Sequence, residues 1–321
     1  MKLMDIYFSL KSDLDLVERR LLDEVHTSQY NLKKASSHLL KAGGKRIRPV
    51  FVLLAGKFGH YDLPKLTRVA AALELIHMAS LVHDDVIDDA ATRRGTPTVK
   101  AEWGDRMAMY TGDYIFARAL VLLAEFSDVR IHQLLSESIV SMCEGEIEQI
   151  RDFYNKEQTL RTYLRRIKRK TALLLSISCT LGAMVADCPP RTVRLLERYG
   201  YYAGMAFQII DDILDLTSTP KKLGKPVGSD LSQGNLTLPV LFALQHSQDA
   251  VRLRDLISRE MTRAEVEEAV KIVKASGGIE YARKMADRYM EKCLDALYKL
   301  PNMDARNKLE GIAHFINERD H

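Results

Sequence analysis

Apolar residues recur every three or four positions along almost the whole chain. Leu14, Val17, Leu21 and Val25 show this spacing near the start. It matches the 3.6-residue period of a helix and not the two-residue alternation of a strand. The pattern therefore predicts an all-α fold of long helices. Short breaks separate them at Gly43-Gly44, Gly95 to Pro97, Asp187 to Pro190, and Ser276 to Gly278.

One segment departs from this pattern, Thr217 to Pro239, which is rich in glycine, proline, lysine and serine. Loops of about 20 residues inside compact domains are usually lids or binding loops. This segment directly follows a cluster of aspartates, so we expect it to cover a charged ligand. Neither a low-complexity linker nor a change in composition divides the chain, which favours a single domain over residues 1–321.

Composition narrows the class of protein. Hydrophobic residues make up 46% and charged residues 28%, as in soluble globular proteins, and the net charge of +4 is too mild to indicate a nucleic-acid partner. The start of the chain lacks the apolar core of a signal peptide, and no uninterrupted run of 18 apolar residues occurs. We expect a cytoplasmic protein, with a peripheral membrane contact left open. The four cysteines form no CxxC pair, which disfavours a zinc site: Cys143, Cys179, Cys188 and Cys293.

Two aspartate clusters interrupt apolar helical segments. In the first, Asp84-Asp85-x-x-Asp88, the outer aspartates are four residues apart and share one helix face. Stacked carboxylates repel each other, so beside apolar Val82 and Val86 a compensating cation is expected. Magnesium suits carboxylate oxygens and usually takes one or two of them, together with water and phosphate. For this motif alone, a solvated acidic helix end is the alternative.

The second cluster, Asp211-Asp212-x-x-Asp215, repeats the pattern among apolar residues, with Gln208 one turn earlier on the same face as Asp212. Charged residues are rarely buried unless they are paired or bind a metal. Two such clusters could face each other across a helical bundle, as carboxylate metal sites often do. Together they predict a site that holds several magnesium ions and a diphosphate.

Basic residues lie where a diphosphate would need them. In GGKRIRP, Lys45, Arg46 and Arg48 stand between a glycine pair and Pro49, which predicts the start of a helix. Backbone N–H groups and the helix dipole favour an anion at such a position. A solvated connection is the alternative for this run taken alone.

Further candidates flank the aspartates. Arg93 and Arg94 follow the first cluster, and guanidinium groups suit bidentate phosphate contacts. His77 lies two helical turns before the first cluster and shares its face, although a lone histidine is more often a core or surface residue. Lys170 and Thr171 lie where a basic run becomes apolar, so the lysine could reach into a cavity.

These residues resemble the trans-isoprenyl diphosphate synthases across nearly the whole chain. Six motifs occur in that family's order: GGKRIRP, HxxSLxHDDxxD from His77, RRG at Arg93, Lys170-Thr171, FQIIDDILD, and GKPVGSDL. The resemblance implies the isoprenoid synthase fold, in which long helices surround a deep central cavity and the two aspartate helices face each other at its mouth. It also implies a prenyltransferase that condenses an allylic diphosphate such as farnesyl diphosphate with successive molecules of isopentenyl diphosphate.

The resemblance also implies roles for individual residues. Magnesium, about two to three ions per site, is implied at Asp84, Asp88 and Asp211. Contacts to isopentenyl diphosphate are implied for Lys45, Arg48, His77 and Arg94. Contacts to the allylic diphosphate are implied for Arg93, Lys170, Thr171, Gln208 and Lys225. The implied catalytic set is Asp84, Asp85, Asp88, Lys170, Thr171, Gln208, Asp211 and Asp212.

Two small residues bear on product length. In this family the positions just before the first cluster line the cavity floor, and here they are Ala79 and Ser80. An aromatic side chain there would stop the growing chain early. The small side chains leave room for a long product. The resemblance implies C30 to C50, with C35 the best single value, and use as a menaquinone side chain.

One departure from the family pattern concerns partners. A lysine often follows the glycine of the loop after the second cluster, but here Asn235 follows Gly234. Within the family the chain most resembles the catalytic component of two-subunit synthases. We therefore expect a heterodimer with a small, motif-free regulatory subunit, and the alternative is a homodimer making a product of another length.

Two other functions compete with condensation. A terpene cyclase also ionises a prenyl diphosphate at a magnesium–aspartate site, but it would not need Lys45, Arg48 or a second complete DDxxD motif. A non-catalytic helical partner subunit would be expected to have decayed motifs, whereas both aspartate clusters are intact. Condensation is the interpretation that uses all of these residues.

Overall fold

The computed structural model of the protein describes residues 3–219 and 226–319, and confirms the all-α prediction. In chain order the helices of the first half are α1 (Leu3–Ser9), α2 (Lys11–Glu24), α3 (Tyr30–Lys41), α4 (Ile47–Gly56), α5 (Leu63–Ile87), α6 (Val99–Trp103), α7 (Asp105–Ala124) and α8 (Val129–Arg151). Those of the second half are α9 (Leu160–Ile167), α10 (Leu173–Val185), α11 (Pro190–Thr217), α12 (Ser229–Ser232), α13 (Leu238–His246), α14 (Ala250–Leu256), α15 (Arg263–Ala275), α16 (Gly278–Tyr298) and α17 (Asp304–Asn317).

Two short elements depart from α-helix. Strands β1 (Thr92–Arg93) and β2 (Thr96–Pro97) form a small antiparallel hairpin directly after α5, with Arg93 opposite Thr96. Between α9 and α10, Lys168–Ala172 forms a π-helical turn, named π1 here. Single π turns inside helices are rare and often occur at functional sites. Both elements carry residues that the sequence places in the diphosphate site.

Local sequence explains where the helices begin. The Asp62 side chain accepts the backbone N–H of Lys65 at 3.1 Å and so caps α5, the helix that carries the first aspartate cluster. Thr262 and Glu265 form a reciprocal capping box at the start of α15. Helix α4 begins at Ile47, so the predicted start at Pro49 is two residues too late, and the proline occupies the first turn instead.

The contacts group the chain into two compact units. The first comprises Met1–Ser136, Ser176–Glu197 and Lys299–Gly311, and the second comprises Glu137–Leu175, Arg198–Tyr298 and Ile312–His321. The organisation as one domain over residues 1–321 stays a prediction.

In the first unit, α5 packs against α7, α4 and α2. Its buried stretch includes Val69 and Leu73, which are fully enclosed. Helix α10 lies directly against α4 at Gly182, because a Cβ on this glycine would lie 2.4 Å from the carbonyl oxygen of Val52. These contacts hold the helix of the first cluster in a rigid core.

In the second unit, α13 packs against α14, α15 and α16. Phe242 and Tyr281 stack with ring centroids 4.7 Å apart in this packing. The predicted loop from Thr217 to Pro239 is shorter than expected, since α11 extends through Thr217 and α13 begins at Leu238. Residues 220–225 lie outside the described part of the chain.

Within the described ranges, α7 is the one helix long and apolar enough to cross a bilayer, with a mean hydropathy of 1.2. Core helices of soluble proteins meet the same two criteria. The helix packs against α5 and is 39% buried over the apolar window. Its composition is therefore weak evidence for a membrane span.

Candidate active site

The first aspartate cluster forms the C-terminal end of α5. Asp84 and Asp85 lie in the last turn, and Asp88 caps the helix by donating its N–H to the Asp84 carbonyl oxygen at 2.8 Å. Asp88 is exposed and Asp84 partly exposed, whereas Asp85 is 2% exposed. The outer aspartates thus reach the surface one turn apart, as their spacing predicts, and the middle one points into the protein.

Asp85 is paired with Arg93 of the hairpin. Nε and Nη2 of Arg93 lie 2.8 Å and 2.7 Å from the same carboxylate oxygen, Oδ1. Burial raises the pKa of Asp85, and the guanidinium opposes that rise. Such charge-assisted bonds are among the stronger ones in proteins. Asp85 therefore holds Arg93 beside the outer aspartates.

The basic loop between α3 and α4 is tied to the hairpin. The Arg94 guanidinium donates to the carbonyl oxygen of Gly43. Gly44 makes this possible, because a Cβ there would lie 2.6 Å from Nη1 of Arg94. The hydroxyl of Tyr7 donates to the carbonyl oxygen of Lys45. The two predicted isopentenyl contacts Lys45 and Arg94 thus lie on adjoining segments.

Arg46 supports this loop from inside the protein. Its backbone is left-handed, with φ of 46°, and its guanidinium bonds to Glu18, Glu74 and the Leu40 carbonyl oxygen. Nη1 lies 3.1 Å from Oε1 of Glu74, a carboxylate that is 4% exposed. A left-handed arginine is unusual, and this ion-pair network holds it in place. The sequence offers no signal for Glu18 or Glu74 at this site.

The remaining predicted isopentenyl contacts are His77 and Arg48. Burial, and then the arginines Arg48 and Arg94, keep the pKa of His77 well below its usual value. Burial lowers the pKa of Arg48 to about 10, against the attraction of Glu74. His77 also lines a cavity of about 20 Å³, together with Arg94. A neutral imidazole among cations is suited to donate a hydrogen bond to a phosphate oxygen.

The residues predicted to set product length lie on α5 in the same unit. Ala79 is 2% exposed. Ser80 is partly buried and donates its hydroxyl to the His77 carbonyl oxygen at 2.8 Å. Their role in product length stays a prediction.

The second aspartate cluster lies near the end of α11. Asp211 is exposed, whereas Asp212 and Asp215 are each 2% exposed. Asp215 accepts the backbone N–H of Asp230 at 3.2 Å, and its carbonyl oxygen accepts the N–H of Gly228 at 2.9 Å. Asp215 therefore anchors the start of α12.

Asp212 lies in a chain of hydrogen bonds. The hydroxyl of Tyr163 donates to Oδ2 of Asp212 at 2.7 Å, and Nε2 of Gln208 donates to Oδ1 at 2.8 Å. Thr171 in turn donates its hydroxyl to Oε1 of Gln208 at 2.6 Å. Burial and then Asp230 raise the pKa of Asp212 to about 7, while Tyr163 and Gln208 oppose the rise. Three of the predicted allylic and catalytic residues are thus joined.

Two of the predicted allylic contacts lie on π1. Lys170 lies 3.2 Å from a carboxylate oxygen of Glu146, and Thr171 follows it. Gly204 lets π1 lie directly against α11, because a Cβ there would be 2.5 Å from the Cα of Ala172. Lys225, the last predicted allylic contact, lies outside the described residues.

Asn235, which stands where the family often has lysine, is held by its backbone. Its N–H donates to the carbonyl oxygen of Asp230 at 2.8 Å. Next to it, Gly234 adopts φ of 81° against the ring of Tyr154, whose N–H donates to the Gly234 carbonyl oxygen at 2.8 Å. An asparagine here keeps the turn but adds no positive charge.

The sequence missed Arg319, which lies near the end of the chain and outside every motif. Nη2 of Arg319 lies 3.1 Å from Oδ1 of Asp211, and the guanidinium stacks 4.6 Å from the ring centre of Phe207. Only the fold brings this cation to the second cluster. The missed Tyr163 carries a weak signal, since it precedes Lys170 by seven residues, or two helical turns.

Across residues 3–219 and 226–319, no group of three or more His, Cys, Asp or Glu side chains is gathered to hold a metal ion. Magnesium usually binds one or two protein carboxylates and completes its shell with water and substrate phosphates. The pair Asp84 and Asp88 fits that mode. That the two clusters face each other stays a prediction.

Comparison with known proteins places these features in a family. The polyprenyl synthetase family model matches residues 29–273. Component 2 of heptaprenyl diphosphate synthase from Geobacillus stearothermophilus is 53% identical, and the match spans all of both chains.

Solved structures agree with the sequence comparisons. The heptaprenyl diphosphate synthase of Staphylococcus aureus is 43% identical, with a TM-score of 0.93 over 97% of this chain and 99% of that one. A polyprenyl synthase from Caulobacter crescentus, complexed with calcium and isoprenyl diphosphate, is 31% identical, with a TM-score of 0.94 over 100% and 98% of the two chains.

Proposed function

Because this chain belongs to the polyprenyl synthetase family, we propose that it condenses an allylic diphosphate with successive isopentenyl diphosphates to form a long-chain prenyl diphosphate. It is a prenyltransferase, and two relatives that are 53% and 51% identical to it are named heptaprenyl diphosphate synthase component 2. C35 is therefore the product length we propose, with menaquinone side-chain synthesis as its use.

One observation carries the proposal for the site. In each cluster the aspartates divide into two classes by exposure: Asp84, Asp88 and Asp211 reach the surface, whereas Asp85, Asp212 and Asp215 are each 2% exposed. A metal that bridges to a soluble substrate needs ligands at the surface. We assign magnesium to the surface class, about two to three ions in all.

The cations divide between two diphosphates. Lys45, Arg48, His77 and Arg94 are proposed to bind isopentenyl diphosphate. Arg93, Lys170, Thr171, Gln208 and Lys225 are proposed to bind the allylic diphosphate. Asp85 orients Arg93 for the allylic diphosphate, since Nε and Nη2 of Arg93 both contact Oδ1 of Asp85.

The reaction then needs no protein nucleophile. Arg93 and Lys170 neutralise part of the charge that develops on the departing pyrophosphate. Magnesium held by Asp84, Asp88 and Asp211 would supply further neutralisation. The allylic C–O bond breaks, and the oxygens of Thr171 and Gln208 stabilise the cation that remains. The double bond of isopentenyl diphosphate attacks this cation, and the proton released in closing the new double bond passes to pyrophosphate.

The names of the relatives support a proposal about the partner. The name component 2 implies a second component in those enzymes, so we propose a heterodimer with a small regulatory subunit that lacks these motifs. The position of Asn235, without the lysine that is common in the family, supports dependence on a partner. We place the enzyme in the cytoplasm, with contact to a membrane surface for release of its product.

The experiment is an assay of the purified chain, alone and with host extract, given farnesyl diphosphate, isopentenyl diphosphate and magnesium. We expect C35 product only when extract supplies the partner, and full-length synthesis by the chain alone would exclude an obligate heterodimer. Consumption of farnesyl diphosphate without need for isopentenyl diphosphate would indicate a cyclase instead.

Variants test the aspartate assignment in the same assay. We expect Asp84→Ala or Asp211→Ala to lower turnover by about 100-fold or more. Asp89→Ala is the matched control, because Asp89 is exposed beside the first cluster and pairs with Lys100. Turnover of either cluster variant close to that of the control would contradict the assignment.

A further inference from the structure

The chain of hydrogen bonds around Asp212 begins at a residue that the proposed substrate contacts do not include. Tyr163 lies on α9, is fully buried, and donates to Oδ2 of Asp212 at 2.7 Å. The opposite oxygen, Oδ1, accepts from Gln208 at 2.8 Å. Both oxygens of the buried carboxylate are therefore used by the protein.

Each hydrogen bond in the chain has a defined donor and acceptor. Gln208 turns its N–H₂ group toward Asp212, with Nε2 at 2.8 Å from Oδ1. Its carbonyl oxygen then points the other way, where it accepts from Thr171 at 2.6 Å. Because the Thr171 hydroxyl donates its hydrogen in this bond, the lone pairs of its oxygen can face another partner.

That orientation suits a developing cation. Oxygens whose lone pairs are fixed before the reaction stabilise positive charge without the cost of reorienting. The backbone supports this geometry, since Gly204 allows π1 to approach α11 so closely that a Cβ would lie 2.5 Å from Ala172. Gln208 lies one turn after Gly204 on the same face of α11.

We propose that Tyr163 is a positioning residue for the allylic substrate, acting through Asp212 to fix the amide of Gln208 and the hydroxyl of Thr171. Asp212 belongs to this buried relay. The inference rests on the proposed condensation and adds to it a residue that touches neither substrate nor metal. The relay is assigned to the step in which the allylic C–O bond breaks. Binding of isopentenyl diphosphate is assigned to other residues, which belong to the first unit.

The test is Tyr163→Phe, which keeps the ring and removes the hydroxyl. We expect kcat to fall about 10- to 100-fold, as for a misplaced catalytic group, while KM for isopentenyl diphosphate stays within about twofold. A purely structural defect would lower the melting temperature without separating these two parameters. A kcat within about twofold of wild type in the folded variant would overturn the proposal.

Tyr199→Phe is the matched control, because Tyr199 is an equally buried tyrosine in the same unit and takes no part in the relay. We expect its kcat to stay near wild type. An equal loss of kcat in both variants would mean that any buried hydroxyl matters, and would overturn the assignment to Tyr163.

Asp212→Asn is a second test of the relay, and it can be used even if Tyr163→Phe fails to fold. An asparagine offers an N–H₂ group on one side, so the Gln208 amide loses its fixed orientation and kcat should fall to a similar extent. In the double variant we expect no further loss beyond the larger single one, as for residues acting in one network. Multiplying losses, or a normal kcat in Asp212→Asn, would refute the relay.

Failure of the relay is distinguishable from failure of the proposed function. If wild-type protein with host extract shows no condensation, the proposed function fails before any variant is compared. If wild type condenses normally and the relay variants do too, only the role of Tyr163 is lost.

Discussion

The buried pair of Arg46 and Glu74 makes a sharp prediction about stability. Nη1 of Arg46 lies 3.1 Å from Oε1 of Glu74, with side-chain exposures of 10% and 4%. The change Glu74→Gln keeps the shape of the side chain and removes its charge. It leaves Glu18 as the charged partner of the guanidinium, beside the neutral carbonyl oxygen of Leu40.

The magnitude follows from two opposing effects. At 3.1 Å and an effective dielectric constant of about 20, the lost attraction amounts to about 5 kcal/mol. The glutamine no longer bears the cost of burying a carboxylate, which offsets part of this. Breaking one partner of a buried pair typically costs about 3–5 kcal/mol. Because Arg46 keeps Glu18, we expect a loss near the lower end, about 3 kcal/mol.

Urea unfolding followed by tryptophan fluorescence measures this loss. Trp103 is the single tryptophan and lies in the same unit as Glu74, so its signal reports that unit. The control is Glu125→Gln, which removes an exposed carboxylate that pairs with Arg68 at 3.0 Å. We expect the control to change stability by less than about 1 kcal/mol. A Glu74→Gln effect as small as the control's would refute the reasoning.

Three further predictions concern the product, the metal-free protein and the core. Ala79→Tyr should shorten the product distribution, because the ring narrows the predicted cavity floor, and unchanged lengths by chromatography would reject that floor. In the presence of a chelator, raising the pH from about 4 to about 7 should destabilise the wild type relative to Asp212→Asn by up to about 4 kcal/mol. The reason is that burial raises the pKa of Asp212 to about 7, so its ionisation over this pH range destabilises the folded state. Parallel pH profiles of the two proteins would argue against that burial. Gly182→Ala should lower the free energy of unfolding by about 1–3 kcal/mol, because the added Cβ would lie 2.4 Å from the Val52 carbonyl oxygen. An unchanged urea midpoint would show that α4 and α10 can move apart with little loss of stability.

The sequence by itself determined the class of fold and the kind of chemistry. Helical periodicity is local, so the spacing of apolar residues in segments such as α2 suffices to predict it. The sequence also predicted the kind of chemistry, because two aspartate clusters together with nearby arginines and lysines indicate the binding of magnesium and a diphosphate. Comparison with known proteins confirmed the family and the enzyme class.

Only the tertiary structure decided which aspartate in each cluster does what. The letters DDxxD are the same in both, and nothing in them shows that Asp85 is bound by Arg93 or that Asp212 is bound by Tyr163. Spacing along a helix tells which side chains share a face, but the partner of that face comes from another part of the chain. The aspartates of one motif thereby separate into side chains that reach the surface and side chains that are buried against protein partners.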